Sequence, residues 1–278
     1  MVKVVVLGIN GMLGSTVFGI LKDTNMDVTG ISREELNAQN ASIDNIKKVV
    51  KNCDYIINCI GIIKPYIHDD NSVEVERAIM VNALFPHKLA RCRIKTIQIA
   101  TDCVFDGTKG HYNETDNHNA LDVYGKTKSL GEVKAEHFLN LRCSIIGLEK
   151  AHKKSLLEWF FNQPKQAEVN GFKNHIWNGI STVAFAKICK GIIENNFWFY
   201  GLQHIVPNSS MNKADILKVF TSVFNREDIV VKDIDAKDTI DRTISTVNEK
   251  QNKMLWEMGG YNEIPDIETL IKEIKKHA

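Results

Sequence analysis

The 278-residue sequence has almost no excess of either charge: 35 Lys and Arg face 34 Asp and Glu, a formal net charge of +1. So balanced a chain projects no broad field, and neither nucleic acid nor an anionic membrane surface is expected as a partner. The C-terminal lysines Lys272, Lys275 and Lys276 fit a solvated helix face. No stretch approaches the ~20 apolar residues that span a bilayer. The opening apolar run, Val4 to Leu7, is too short for the core of a secretory signal and stops at a glycine. Six cysteines are present, Cys53, Cys59, Cys92, Cys103, Cys143 and Cys189, but none forms a CxxC pair, so no zinc site is expected. Several sit in apolar runs as small core residues. These features together favour a reducing cytoplasmic setting. The nine histidines show no metal-ligand spacing. There is also no internal repeat and no low-complexity linker.

What the sequence does have is alternation. Short strand-like runs, most of them rich in β-branched residues, occur at 3–7, 27–31, 55–60, 96–100 and 138–142, and helical patterns lie between them at 13–21, 43–50, 73–91 and 123–137. Near-continuous apolar strands alternating with helices predict an α/β fold with a doubly wound parallel sheet, covered on both faces. After about residue 150 the pattern loosens. Helices are expected over 156–161, 182–193, 211–224 and 267–276, a strand near 203–206, and irregular chain over 166–177. Residues 1–150 therefore read as a nucleotide-binding domain. Residues 151–278 read as a smaller substrate-binding lobe packed on it, with some strands or helices crossing back.

The segment Gly8-Ile9-Asn10-Gly11-Met12-Leu13-Gly14 leaves the first strand and opens the first helix. Glycines allow the tight turn and a close backbone approach to a pyrophosphate, which the helix N-terminus attracts. Its GxxGxxG spacing departs from the general GxGxxG pattern, but the strand–turn–helix context supports dinucleotide binding. An NAD-selective site carries an acid at the tip of the second strand. Here that tip reads Ile31-Ser32-Arg33. Ser32 and Arg33 suit a 2′-phosphate, favouring NADPH over NADH, although Glu34 and Glu35 follow and add negative charge.

Val123-Tyr124-Gly125-Lys126-Thr127-Lys128 contains a YxxxK spacing, which places Tyr124 and Lys128 on one helix face. A lysine ammonium is expected to lower the phenol pKa from about 10 and to hold a cofactor ribose. Tyr124 would then give a proton to a carbonyl oxygen as a nicotinamide gives hydride to the carbon. The strand ending Ile99-Ala100-Thr101 brings Thr101 to the same edge, where its hydroxyl would hold the substrate oxygen. Thr101, Tyr124 and Lys128 are the candidate catalytic residues.

With these segments in view, the sequence resembles the extended short-chain dehydrogenase/reductase family, and within it the dTDP-4-dehydrorhamnose reductase group. The likeness rests on Gly8 to Gly14, Asn58-Cys59-Ile60-Gly61, Val81-Asn82, the run Thr101-Asp102-Cys103-Val104-Phe105-Asp106-Gly107, and Tyr124 to Lys128 with Gly131-Glu132. It continues more weakly through Leu141 to Ser144, Trp177-Asn178-Gly179 and Asp241-Arg242. The resemblance implies a Rossmann sheet and NADPH-dependent reduction of the 4-keto group of a nucleotide-activated 6-deoxy sugar. It implies cofactor contacts from Cys59, Gly61, Asn82 and Ala100 beside the glycine turn. It implies that Asp102, Cys103 and Phe105 border the substrate and that Trp177 and Asn178 cover it from the second lobe. It also implies a homodimer. Cys103 stands where these reductases often carry tyrosine, and Asn40 where they often place an acid near the adenine. Members often bind Mg2+, but no acidic cluster commits this chain to a metal, and Glu114 and Asp116 read as loop residues. Asp241-Arg242 is either a structural or a substrate pair, and His175 is the histidine nearest the expected substrate lobe. Two other readings stay open: a nucleotide-sugar epimerase or dehydratase, and a non-catalytic NADP-binding regulatory subunit such as those associated with methionine adenosyltransferase. Dehydration commonly uses Asp-Glu after the threonine, and Asp102-Cys103 lacks the Glu.

Overall fold

The computed structural model describes residues 1–149 and 153–277, so the expected domain boundary at 150/151 lies outside the described residues. The chain opens with β1 (Lys3–Leu7), α1 (Met12–Lys22), β2 (Asp27–Ile31), α2 (Ile43–Val49) and β3 (Tyr55–Asn58). Helices α3 (Ser72–Ala78) and α4 (Phe85–Ala90) precede β4 (Lys95–Ala100), α5 (Val123–Leu130) and β5 (Phe138–Arg142). Then come β6 (Ile145–Ile146), α6 (Leu156–Phe161), β7 (Glu168–Phe172), β8 (His175–Trp177), β9 (Ile180–Ser181) and α7 (Thr182–Glu194). The remainder is β10 (Gly201–His204), β11 (Met211–Asn212), α8 (Lys213–Val223), β12 (Val230–Ile234), β13 (Ile240–Asp241), α9 (Glu249–Met258) and α10 (Ile267–Lys276).

Six strands form one sheet in the order β10-β5-β4-β3-β1-β2, and all its pairings are parallel. This is the predicted α/β doubly wound architecture. Val6, Leu7, Ile57 and Ile97 are fully buried in its centre. Burying each such side chain stabilises the fold by ~1.5–3 kcal/mol. The strand order reverses between β1 and β3, so a crevice opens at the carboxyl ends of these strands. The second half does cross back. β10 is the sheet's outer strand beside β5, and Ala184, Phe185 and Ile188 of α7 share one core with Leu13 and Val17 of α1. The remaining lobe has a separate core built from α6, α8 and α10.

Three local expectations fail for identifiable reasons. The single helix expected over 73–91 is interrupted by a π-helical turn, Ile79–Leu84. Pro86 has no N–H to give to the carbonyl four residues earlier, and the Phe85 N–H bonds to Met80 O instead. The helical donor for Asn82 O would be residue 86, the proline, and Gly131 packs against this carbonyl so closely that a Cβ there would lie 2.0 Å from the oxygen. The helix expected to reach residue 137 accordingly ends at Leu130, with Gly131 as its cap. Third, 166–177 holds two strands: β7 pairs with β12, and β8 lies between β11 and β13. Their pairing partners are some 35 to 65 residues away, so no local pattern announces them.

Candidate active site at the carboxyl edge of the sheet

The glycine turn sits at the reversal in strand order. Gly8 has φ +85°, and its N–H bonds to Ile31 O at 2.8 Å. A Cβ on Gly14 would lie 2.1 Å from Gly8 O, so only glycine lets α1 start this close to β1. Helix α1 opens on Gly11 with no side-chain cap and no acid in its first turn. Its first N–H groups and dipole end are thus left for an anion, which is the fit a dinucleotide pyrophosphate needs. Asn10 and Gly11 are exposed and Met12 is half-buried. Leu13 keeps its side chain, 5% exposed, in the main core with Val17 and Leu21, so its backbone is the part that faces the turn.

At the tip of β2, Arg33 is exposed, whereas Ser32 is already engaged. Its hydroxyl donates to Glu34 at 2.6 Å and its N–H to Glu35 at 2.8 Å. The Ser32 hydrogen bond is the main cause of a lowered Glu34 pKa. A 2′-phosphate on Ser32 would have to displace Glu34.

The catalytic candidates do converge. Thr101 directly follows β4, is 7% exposed, donates to Asp102 Oδ1 at 3.2 Å and accepts from the Cys103 N–H at 3.2 Å. It lies close enough to Tyr124 to act on the phenol's protonation. Lys128, one turn along α5, is 8% exposed and donates to Ile99 O at 3.0 Å. Burial lowers its pKa to about 8, with Glu132 opposing the shift. The expected lowering of the Tyr124 pKa is not seen. Burial raises it, Cys103 adds to the rise, and Thr101 only partly offsets them. The phenol is therefore held protonated at neutral pH, as a proton donor must be.

Gly61 is exposed beside this group. A Cβ there would lie 3.5 Å from Asn82 Oδ1 and 3.9 Å from Lys128 Nζ, so glycine keeps the approach to the ammonium open. Asn82 lies in the π-helical turn and spends its amide on the Ile62 backbone, accepting at 2.8 Å and donating at 2.9 Å. It braces the Gly61 loop and is not itself free for a cofactor. Cys59 continues β3, its N–H bonded to Leu7 O at 3.1 Å, and its thiol is pushed up by burial. Ala100 is buried at the end of β4.

On the substrate side, Asp102 is buried, and that burial raises its pKa against the opposing charge of Arg242. Cys103 is half-buried, with its thiol pushed up to about 12 by burial. Phe105 does not border this space. It is fully buried, stacked on Tyr112 at 4.2 Å and lying under Arg142. Asn178 is also a brace, because its amide bonds the Ile244 backbone at 2.7 and 2.9 Å. Trp177 is half-buried and folds over Gly179, where a Cβ would strike the ring at 2.2 Å.

Asp241 and Arg242 separate in role. Asp241 Oδ1 accepts from the Thr243 N–H and hydroxyl, a local turn contact. Arg242 reaches across to Phe105 O at 3.0 Å and Asp106 O at 3.3 Å. His175 bonds Asp238 O, and burial and Lys213 lower its pKa. Sequence reasoning missed two groups here. Lys213 follows β11 and gave no motif. Arg142, Glu132, His118 and His204 form a cluster behind Phe105 in which Arg142 and His204 are buried: Arg142 donates to both Glu132 oxygens at 2.6 and 2.7 Å, to His118 at 2.6 Å and to His204 at 2.9 Å. Arginine only donates, so both imidazoles accept through Nε2 and are neutral, with their Nδ1 hydrogens directed to Ser129 and Ser245. Glu114 is more than a loop residue, since it accepts from the His204 and Val247 N–H groups and the Thr246 hydroxyl.

A glycine turn at the strand-order reversal, with threonine, tyrosine and lysine on the neighbouring strand and helix, defines the extended short-chain dehydrogenase/reductase class. Within that class the chain belongs to the family described as RmlD substrate binding domain, whose model matches residues 2–255. Among similar proteins, a dTDP-4-dehydrorhamnose reductase of Aggregatibacter actinomycetemcomitans is 33% identical over 143 residues. That match covers 48% of this chain and 46% of the reductase, so it spans about half of the relative's length. A methionine adenosyltransferase 2 subunit beta of Xenopus laevis is 31% identical over 249 residues, 80% of this chain and 72% of its own. The fold is also that of a dTDP-4-dehydrorhamnose reductase from Bacillus anthracis str. Ames solved in complex with NADP: TM-score 0.79, 19% identity, 100% of both chains covered.

Proposed function

We propose that the protein is an NADPH-dependent reductase of the 4-keto group of a nucleotide-activated 6-deoxy sugar. The convergence of Thr101, Tyr124 and Lys128 beside an uncapped, glycine-packed helix start carries this reading. The named reductase relative and the fold shared with an NADP-bound reductase support it. Gly8, Gly11 and Gly14 would admit the pyrophosphate, Arg33 the 2′-phosphate, and Lys128 the ribose hydroxyls past Gly61. Bound in this way, the reduced nicotinamide supplies the hydride that ends on the ketone carbon. Tyr124 gives its phenolic proton to the ketone oxygen, completing the alcohol, and Thr101 steadies that oxygen through the transfer. Lys128, cationic below its pKa of about 8, stabilises the phenolate left behind.

The test is oxidation of NADPH by purified protein offered a panel of nucleotide 4-keto sugars. Wild type should turn over, and Tyr124→Phe should lose ~10²–10⁴-fold in kcat, the usual worth of a placed proton donor. Equal rates for the two would refute the catalytic reading. A second reading has one specific observation behind it: the likeness to methionine adenosyltransferase 2 subunit beta runs over 80% of the chain, against 48% for the reductase. On that reading the protein binds NADP and associates with an adenosyltransferase without turnover. NADPH binding with no oxidation by any sugar would favour it.

A further inference from the structure

Three neighbouring strands of the parallel sheet each carry a buried amide where the pattern of such a sheet calls for an apolar side chain: Asn58 in β3, Gln98 in β4 and Asn140 in β5. They stand side by side, because Asn58 pairs in register with Gln98 and Gln98 with Asn140. Their hydrogen bonds run in one direction. The Ile60 N–H donates to Asn58 Oδ1 at 3.2 Å, and Asn58 Nδ2 donates to Gln98 Oε1 at 2.8 Å. Gln98 Nε2 then donates to Gly131 O at 2.8 Å and to Asn140 Oδ1 at 3.4 Å. Asn140 Nδ2 continues to Val133 O at 2.9 Å and Gly201 O at 3.2 Å. A backbone donor at one end and backbone acceptors at the other fix how each amide is turned. Burying amides is costly unless their groups are met, and a met network holds its ends rigidly.

Both ends of this ladder lie beside Lys128. Gly131 is the C-cap of α5, just past Lys128, and its carbonyl is among those that a helix end leaves without an intrahelical partner. Gln98 supplies that partner from the strand beneath. The next residue of the strand, Ile99, accepts the Lys128 ammonium at 3.0 Å, so β4 grips α5 at two adjacent points. At the other end, Ile60 leads into Gly61, whose bare Cα keeps the approach to Lys128 Nζ open. The ladder therefore joins the two walls between which the ammonium sits. The ionisable groups that act on Lys128 are Glu132, just beyond α5, and Cys143, just beyond β5. Neither belongs to the ladder, and amides carry no charge, so the ladder acts on the ammonium through its position.

We propose that Gln98 is the positioning residue of the Lys128 ammonium, tying the end of α5 to β4 and, through Asn58, to the Gly61 loop. This deepens the reductase reading, in which Lys128 holds the cofactor ribose, but the tie itself does not depend on the substrate. The experiment is competitive acetylation of the full-length protein, without added cofactor, by trace acetic anhydride across a range of pH, read lysine by lysine by mass spectrometry. In wild type Lys128 should react slowly and titrate at its lowered pKa of about 8. Gln98→Met keeps the length of the side chain but neither hydrogen bond. Water should then reach the ammonium, so Lys128 should label faster and its midpoint should rise toward the ordinary lysine value. Lys88, half-buried and bonded to Ala41 O, is the internal reference and should not change. Thr96→Val removes a buried hydrogen bond to Ile94 O in the same strand and should leave Lys128 as in wild type, which separates position from lost stability. Gln98→Asn, one methylene too short to meet Asn58 and Gly131 together, decides the matter if Gln98→Met does not fold. An unmoved Lys128 midpoint in the folded Gln98 variant overturns the proposal, as does an equal shift in Thr96→Val. NADPH oxidation by the same Gln98 variant should fall on the order of 10²-fold in kcat with the KM of the sugar little changed, the scale of a small misplacement. No oxidation by wild type would discard the reductase, and the labelling would still decide the tie.

Discussion

Glu132→Gln tests whether the cluster behind the active site does what its geometry implies. The Arg142 side chain is 0% exposed and that of Glu132 11%, with N–O distances of 2.6 and 2.7 Å. Arg142's other two acceptors are neutral imidazoles, so Glu132 is its anion among the described residues. Removing one partner of a buried pair costs about 3–5 kcal/mol, because the other charge is stranded. A carboxamide keeps one acceptor oxygen, so the low end, about 3 kcal/mol, is expected. In a domain of this size that corresponds to a Tm drop on the order of 10 °C. Urea unfolding followed by circular dichroism measures it. The substitution has a second readout that mere destabilisation lacks. Glu132 supports the charged form of Lys128, whose pKa burial lowers to about 8. Losing the carboxylate should move the alkaline limb of kcat/KM to lower pH, since Lys128 then gives up its proton sooner. A stability loss below about 1 kcal/mol with an unmoved alkaline limb would refute both the stranding argument and the link to Lys128.

Two further outcomes follow from the same structure. Arg33→Ala should weaken NADPH about tenfold or more and NADH little, as expected for one lost charge-assisted contact, measured by fluorescence titration of both cofactors; equal weakening would remove the 2′-phosphate role. Burial and Arg142 lower the His204 pKa from 6.5 to about 4. The unfolded chain therefore binds a proton between these values that the native protein refuses, so stability should fall as pH drops from 6.5 toward 4. Melts across that window should show the decline, and His204→Gln should flatten it; an identical slope in the variant would count against the assignment.

The parts of the fold legible in the sequence are those set by local pattern. Strands β1, β2 and β5 stand at the predicted residues, β1 and β5 because their near-continuous runs bury on both faces of a parallel sheet, and the glycine turn is tied to its neighbours by steric need. The π-helical turn was not legible as such, although its cause was on display: Pro86 cannot donate to the Asn82 carbonyl, and Gly131 is small enough to pack against that oxygen. Strands β8, β11 and β13 were illegible, since two- and three-residue strands carry no period and their partners are remote.

The same division runs through the site. Thr101, Tyr124 and Lys128 could be read because one strand end and one helix face carry them all. Phe105 and Asn178 were assigned to the substrate from motif position alone, and position does not reveal which way a side chain faces. Phe105 turns inward to stack on Tyr112, and Asn178 ties down Ile244. Both corrections serve the same end, because they anchor the run from Thr101 to Gly107 and the 240s segment against each other. That anchoring fixes Arg242 over the active-site edge. Lys213 arrives there only through strand pairing, so no sequence pattern could have placed it. On the proposed reading the catalytic groups are thus written in local motifs, whereas the second lobe's side of the cleft depends on long-range topology. Divergence in substrate within such a fold should accordingly concentrate in the pairing of β8, β11 and β13 and leave the Tyr124–Lys128 helix alone.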